Sequence, residues 1–203
     1  MDMDAAALLA GFLNTVHLPD GVDALEKSTA ADWRADGLAD DGNSVHQRPA
    51  TTTPRPASET EMLRTLRAAL RALVQPHAKW TAAQREAVAR ADEALRNNPI
   101  LVRLPSSGRH LPQLAPAASG ATESDVAAVL TAYFTACADG GIERIKTCAR
   151  PECQWAFLDA SRNSSRRWCA MAHCGNVVKN RRYRARRSAT NRASHRPHSR
   201  SQR

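Results

Sequence analysis

Four cysteines in the last third of the chain constrain its fold more than any other feature of the sequence. They form two C-x4-C pairs with fifteen residues between them, at Cys148, Cys153, Cys169 and Cys174. Two close pairs joined by a short insert are how a chain brings four thiolates to one tetrahedral ion. Zinc suits four sulfur ligands because it is borderline-soft and has no geometric preference of its own. The spacing therefore predicts one structural Zn²⁺ held by these four side chains.

Buried cysteines and a redox-active pair are the alternative interpretations of the same pattern. No apolar run reaches the ~18 residues of a membrane span, and the N-terminus "MDMDAAALLAGFLNTV" is acidic where a secretory signal would be basic. We therefore expect a cytoplasmic protein, in which thiols stay reduced and clustered cysteines more often bind metal than form disulfides. The fifth cysteine, Cys137, falls on the apolar face of a predicted helix, where we expect a small core residue.

Positive charge is concentrated in the same part of the chain. Residues 141–203 contain 16 Lys and Arg against three acidic residues, a net charge of +13, whereas residues 1–140 carry a net charge of −4. This asymmetry predicts an anionic partner for the C-terminal part. The basic tail after Ser188 is expected to be disordered, and a solubilising role suits it as well as a binding one.

The residues between the two cysteine pairs predict a β-hairpin. The segment "QWAFLD" has apolar residues at strand spacing, "ASRNSS" is turn-like, and "RRW" returns to Cys169. We expect Trp155, Trp168 and Tyr183 to form the core of this small unit rather than to stack on bases.

The second cysteine pair opens a basic helix, in which six of the nine consecutive residues that begin at Lys179 are Lys or Arg. Cys174 would anchor the N-terminus of this helix to the metal, and Gly175 would let the backbone pass close by. Four thiolates and one Zn²⁺ carry a net charge of about −2, which Arg166, Arg167 and Lys179 would help to offset.

Residues 1–140 predict a mostly helical domain. Apolar residues recur at helical spacing in a first helix that ends near "HLPDG", in a short segment around Trp33 and in three longer helices. Capping-box patterns mark the starts of two of the longer helices, at Ser58 with Glu61 and at Thr81 with Gln84. We recognise no nucleophile–base pair and no phosphate-binding loop in the sequence, so we do not expect an enzyme.

Two further features of this domain are predicted. Residues 36–57 are expected to form a loop, and residues 100–104 to pair with residues 110–114 as a small hairpin. In the last helix, six residues are expected to face inward: Val126, Val129, Leu130, Tyr133, Phe134 and Cys137.

The C-terminal pattern also carries a family resemblance. The stretch "CARPECQWAFLDASRNSSRRWCAMAHCGNVVKNRRYRARR" resembles the CGNR zinc finger of bacterial proteins described as stress-induced transcription regulators, and "GFLNTVHLPDG" is similar to the start of the ABATE domain that precedes that finger. The resemblance implies that the four paired cysteines are the zinc ligands. The name-giving motif falls on residues 174–177, where Val177 replaces the usual arginine. An arginine there either contacts nucleic acid or braces the fold.

These observations predict a mainly α protein with a helical N-terminal domain, which includes one small β-hairpin, and a small treble-clef-like zinc finger made of a β-hairpin and a basic helix. The expected boundaries are 1–140 for the helical domain, 141–188 for the finger and 189–203 for a disordered basic tail. The resemblance implies that the N-terminal domain is ABATE-like and that sensing or dimerisation is its role.

The zinc site and the basic helix predict a zinc-dependent, DNA-binding protein associated with the nucleoid, and the family resemblance implies that it regulates transcription in the stress response. Nine residues are predicted to contact nucleic acid: Arg166, Arg167, Asn176, Lys179, Arg181, Arg182, Arg184, Arg186 and Arg187. The expected partners are double-stranded DNA, a second copy of the chain and a small-molecule effector at the N-terminal domain, with no membrane partner. An RNA-binding module and a zinc-thiolate redox switch are the alternative functions.

Overall fold

A computed structural model of the chain describes residues 3–18, 21–38, 55–75, 80–96, 99–104, 113–117 and 120–194. These residues form six α-helices and three antiparallel two-stranded hairpins, which confirms the mainly α class with a small C-terminal finger. The helices are α1 (Met3–Leu13), α2 (Ala30–Leu38), α3 (Ala57–Leu73), α4 (Ala82–Arg96), α5 (Ala121–Ala138) and α6 (Asn176–Ser194). The strands are β1 (Val16–His17), β2 (Val22–Asp23), β3 (Ile100–Arg103), β4 (Gln113–Pro116), β5 (Ile145–Thr147) and β6 (Ala156–Leu158). None of the helices in these ranges is both long and apolar enough to span a lipid bilayer.

Helix α1 lies at the centre of the main hydrophobic core and is buried over most of its length. Its Phe12 ring lies 4.8 Å from the Trp33 ring of α2, measured between centroids. Two glycines let these helices approach closely: a Cβ on Gly11 would lie 1.7 Å from the Trp33 carbonyl oxygen, and a Cβ on Gly37 would lie 1.7 Å from that of Ala7. Because α1 is apolar on every side, it can also pack against α3, α5 and β6.

Of the two predicted capping boxes, the structure contains one. At the start of α4, the Thr81 amide donates to the Gln84 side chain (2.8 Å) and the Gln84 amide donates to the Thr81 hydroxyl (3.2 Å). The prediction at Ser58 is wrong, because α3 begins two residues earlier than that cap requires: Pro56 is its N-cap, without a side-chain hydrogen bond. Ser58 therefore lies inside the first turn, where its hydroxyl cannot act as the cap.

The inward face of α5 differs from the predicted one. Val126 and Val129 are buried as expected, but Phe134 is 63% exposed and Cys137 is also exposed, so those two predictions are wrong. The buried face continues instead through Ala132 and Ala136. These small side chains let α5 pack closely on α1, and the face that they define excludes the larger aromatic residue.

The hairpins differ from their predictions mainly in register. Strand β3 pairs with β4 at residues 113–116, with Ile100 opposite Pro116, so the predicted partner at residues 110–114 was placed too early. The β1–β2 pair follows α1 directly and was not predicted. Of the predicted loop at residues 36–57, the described parts include the end of α2 and the start of α3; residues 39–54 lie outside the described ranges.

A salt bridge fixes the β1–β2 hairpin against α3. The Asp23 carboxylate accepts hydrogen bonds from both terminal nitrogens of Arg67 at 2.8 Å and from Nε of Arg64 at 3.0 Å. Burial raises the pKa of Asp23, but the hydrogen bonds and charge of Arg67 outweigh burial and lower the pKa to about 2. The carboxylate is therefore ionised at neutral pH and holds β2 in place.

The main core continues past residue 140, the predicted domain boundary. Ile145 of β5 and Ala156 of β6 are buried in the same cluster as Leu63 and Val129. Asn14, which follows α1, donates through Nδ2 to the Ala156 carbonyl and accepts from the Ala156 amide, both at 2.7 Å. The first hairpin of the finger is therefore packed into the N-terminal core.

Candidate metal centre

The first cysteine pair lies on the loop that joins β5 to β6. Cys148 follows β5 directly, and its amide donates to the Trp155 carbonyl at 2.8 Å, which closes the loop. The Cys153 amide donates to the Arg150 carbonyl at 2.9 Å. The next residue, Gln154, has φ of 48°, a left-handed conformation that turns the chain back towards β6. The loop therefore carries both thiols of the pair on one tight turn.

The predicted hairpin within the insert is wrong in its pairing. Strand β6 lies in the expected "QWAFLD" segment, but it pairs with β5 and not with "RRW". The returning segment instead accepts a hydrogen bond through the Arg167 carbonyl from the Ala149 amide, at 2.9 Å. The observed pairing places Ile145 in the main core, so burial of apolar surface favours it although its loop is the longer of the two.

The second cysteine pair lies at a single π-helical turn, Met171–Gly175, that leads into α6: Cys169 precedes this turn and Cys174 belongs to it. Cys174 and Gly175 are buried there, which agrees with the predicted anchor at the helix N-terminus. A Cβ on Gly175 would lie 2.1 Å from Sδ of Met171 and 3.2 Å from Cδ1 of Trp168. A glycine is therefore required at this position unless the Met171 side chain moves.

The two loops bring all four predicted ligands together. The sulfur atoms of Cys148, Cys153, Cys169 and Cys174 all lie within 4.8 Å of one another. The distance is 3.7 Å for the Cys153–Cys169 pair and also for the Cys169–Cys174 pair. A tetrahedron with Zn–S bonds of about 2.3 Å has edges of about 3.8 Å. The sulfur positions therefore fit one zinc ion, and the four cysteines form its binding site.

The closeness of the sulfurs changes their acidity. The hydrogen bond from Cys169 lowers the pKa of the Cys153 thiol to about 5, and the same contact raises the pKa of Cys169. The burial of Cys174 raises its pKa to about 11. One thiolate is thus stabilised by its neighbours, and the negative charge that it carries opposes ionisation of the others. A bound Zn²⁺ supplies the positive charge that lets all four ionise.

Two arginines that were not predicted at the metal centre also bring positive charge close to the sulfurs. Nη1 of Arg150 lies 4.0 Å from Sγ of Cys174. Arg71 of α3 donates to the carbonyl oxygens of Leu13 (2.6 Å) and Gln154 (2.7 Å), so it joins α1 to the first zinc loop. Burial and the nearby Arg67 lower the pKa of Arg71 to about 10, while the Cys153 charge opposes that change. Arg71 is therefore a partly buried cation at neutral pH, close to Cys153.

Arg166 has a structural role in the finger. Its guanidinium lies 4.8 Å from the centroid of the Phe157 ring and donates to the carbonyl oxygens of Trp168 (3.0 Å) and Cys169. These contacts tie the segment before the second cysteine pair to β6. To contact nucleic acid as predicted, the Arg166 guanidinium would have to give up these contacts with the ring and the two carbonyl oxygens.

A buried carboxylate organises the turn between the two cysteine pairs. Asp159, with no exposed surface, accepts from Nζ of Lys146 (2.6 Å), the Ser161 hydroxyl (2.5 Å) and the Arg166 amide (2.9 Å). Burial raises the pKa of Asp159, but hydrogen bonds from Lys146 and Ser161 outweigh it and hold the pKa well below the ordinary range. The turn that the sequence predicted at "ASRNSS" is thus built around an ionised aspartate.

The sequence of this segment matches a known family. Residues 144–187 match the family model described as the CGNR zinc finger. This segment is similar to the CGNR zinc finger. The match includes all four cysteines and the first twelve residues of α6, whereas residues 1–143 lie outside it, so the ABATE-like N-terminal domain stays a prediction. A comparison with curated proteins found no match to the chain.

The finger presents α6 to solvent. All ten residues from 179 to 188 are exposed, and they include every basic residue that was predicted on this helix.

Tyr183 is 63% exposed, so its predicted place in the finger core is wrong, whereas Trp155 is buried in that core and Trp168 packs against it. Helix α6 continues to Ser194, so the predicted start of the tail at residue 189 falls inside the helix. Residues 195–203 lie outside the described ranges.

Four residues make contacts within or against the finger that sequence reasoning missed. Arg150 and Glu152 lie between the first two cysteines, and this position in the sequence could have predicted that they lie close to the metal or to α6. Asn14 and Arg71 gave no comparable signal, since they precede the finger by more than 70 residues. Only the folded chain brings them to the zinc loops.

Proposed function

We propose that this protein is a zinc-dependent, DNA-binding regulator of transcription. The observation that supports it is the geometry of α6: a zinc site lies at its N-terminus, and the residues from 179 to 188 are all exposed. The zinc loops hold the start of the helix, and its basic part extends away from them. Such a regulator would act on the chromosome in the cytoplasm.

The dimensions of α6 suit duplex DNA. With 19 residues, the helix is about 28 Å long and about 10–12 Å wide, which matches the ≈ 12 Å width of the major groove. Its basic residues point in nearly every direction around the axis. They would therefore contact phosphates on both sides of a groove, and few of them would read bases.

The proposal predicts strong but weakly selective binding. About six phosphate contacts would reduce the affinity on the order of 10³-fold between about 50 and 200 mM salt. The test is the affinity of the zinc-loaded protein for duplex DNA and for a structured RNA of matched length and salt. Preference for the duplex supports the proposal, whereas preference for the RNA makes an RNA-binding module the better function.

Removal of zinc provides a second test. The finger is too small to hold its loops together without the metal, so a chelator should unfold α6 and abolish binding. Full duplex affinity of the zinc-free protein would contradict the proposal. The metal is structural in this proposal and has no catalytic role, because a zinc ion with four sulfur ligands has no open position for water or substrate.

We further propose that the N-terminal domain senses a small molecule or forms a homodimer. A two-fold dimer would place two fingers on paired half-sites. Sedimentation of the free and DNA-bound protein tests this, since a monomer that binds DNA with a one-to-one stoichiometry would contradict dimerisation.

A redox switch is the second candidate, favoured by the half-buried position of Cys153 and Cys169 with their sulfurs 3.7 Å apart. Peroxide would oxidise these two thiolates to a disulfide, with its own reduction to water, and the site would lose zinc. Zinc release at low peroxide stoichiometry, together with loss of DNA binding, would favour the switch. Unreactive cysteines would exclude it.

A further inference from the structure

The acidic residues of the finger are few and have different surroundings. Residues 141–203 contain three of them: Glu143, Glu152 and Asp159. Asp159 is buried and paired with Lys146. Glu143 lies on the turn that precedes β5. Glu152 lies between the first two cysteines and faces α6, and it is the member of this set that belongs to the basic surface.

Glu152 bridges two arginines on that surface. One carboxylate oxygen, Oε1, accepts from Nη1 of Arg181 at 3.2 Å, and the other, Oε2, accepts from Nε of Arg150 at 3.3 Å. Arg181 belongs to α6, whereas Arg150 and Glu152 belong to the first zinc loop. All three side chains remain accessible to solvent. Pairs of this kind are weak in water, so an incoming anion can displace the carboxylate.

We propose that Glu152 is an intramolecular competitor of phosphate that limits the affinity of the finger for polyanions. This inference rests on the proposed function. In the free protein, Glu152 occupies Arg150 and Arg181, and a DNA phosphate must take its place to use them. Its negative charge also repels the backbone of any duplex that approaches α6. The carboxylate therefore reduces binding to all sequences alike.

The test compares Glu152→Gln with Glu143→Gln. Both variants remove one negative charge from the finger, so their difference reports the position of the charge. The probes are a random-sequence DNA duplex and inorganic polyphosphate, titrated at several salt concentrations. We expect E152Q to bind both probes about 3- to 10-fold more tightly than the wild type. The salt dependence should become steeper by about one phosphate contact, and E143Q should change the affinity less than about twofold.

A second substitution tests whether Glu152 acts by occupying Arg181. Arg181→Ala should weaken binding little in the wild-type background, where Glu152 competes for this arginine, and more strongly in the E152Q background. Zinc content and helical circular dichroism confirm that each variant is folded.

Two results would overturn the inference: equal affinities of E152Q and E143Q for polyphosphate, or weaker polyphosphate binding by E152Q than by the wild type. The second result would mean that Glu152 supports the position of α6. The polyphosphate measurement does not depend on DNA recognition. A wild-type protein that binds polyphosphate but not duplex DNA would therefore contradict the proposed function and leave the role of Glu152 to be decided by the polyphosphate data.

Discussion

Asn14 and Ala156 exchange two hydrogen bonds of 2.7 Å, although 142 residues separate them in the sequence. The Asn14 amide group satisfies both the N–H and the C=O of Ala156 on the side of β6 that faces away from β5. It therefore acts as a neighbouring strand would. Because both residues are buried, these bonds couple the end of α1 to the strand that follows the first zinc loop.

Replacement of Asn14 by Ala should destabilise the whole protein. Both backbone groups of Ala156 would lose their partner in a buried site, at a cost of about 2–4 kcal/mol in the free energy of unfolding. Urea unfolding of the zinc-loaded protein measures this change. Asn163→Ala, at an exposed position of the finger, is the matched control and should have little effect. An unchanged unfolding midpoint for N14A would show that the coupling contributes nothing.

Arg71→Met should weaken zinc binding although the residue lies in α3. The variant removes the donor to the Gln154 carbonyl, next to Cys153, and with it a partly buried positive charge close to that thiolate. Loss of such outer contacts lowers metal affinity by about 10- to 100-fold. Competition with a chromophoric chelator measures the zinc affinity. Arg90→Met, at an exposed position of α4, provides the comparison, and equal affinities of the two variants would contradict the prediction.

Asp23 should make the stability depend on acid pH. Its pKa is lowered from 3.8 to about 2 in the folded protein, so the stabilisation is present above pH ~4 and is lost as the pH falls towards ~2. The shift corresponds to about 2 kcal/mol. The free energy of unfolding is measured for the wild type and for Asp23→Asn over this pH range. The difference between the two proteins gives the contribution of Asp23 and cancels the effects of acid on the cysteines, which both proteins share. A difference that stays constant as the pH falls would refute it.

Val177→Arg should strengthen binding to DNA. Val177 is 40% exposed at the start of α6, so an arginine here would reach solvent and would not brace the core. Of the two roles considered for the motif arginine, this position favours contact with nucleic acid. We expect a steeper salt dependence by about one phosphate contact, measured by duplex titration. Val177→Gln serves as the uncharged control and should leave the slope unchanged.

The metal centre could be predicted from sequence because its information is local. Four cysteines at fixed spacing within 27 residues define one tetrahedral site, whichever way the intervening strand pairs. That pairing was predicted wrongly because "RRW" and residues 145–147 are both short segments next to a cysteine. The choice between them depends on Ile145, whose burial requires the N-terminal core.

Two aromatic residues on helices were also predicted to be buried and are exposed. In α5, the pattern allowed a face through Phe134 as well as one through Ala132 and Ala136, and close packing against α1 selects the second. Tyr183 was expected in the finger core because aromatic residues are usually buried. The surrounding arginines keep that turn of α6 in solvent instead.

The bonds made by Asn14 and Arg71 have a consequence for how such fingers recombine during evolution. A graft of residues 144–187 onto a foreign N-terminal partner would keep all four zinc-site cysteines. It would nevertheless leave the Ala156 amide without its acceptor and the Gln154 carbonyl without its donor. The exchangeable unit is therefore larger than the matched segment: it must bring along the asparagine and the arginine that meet it from the other half of the chain.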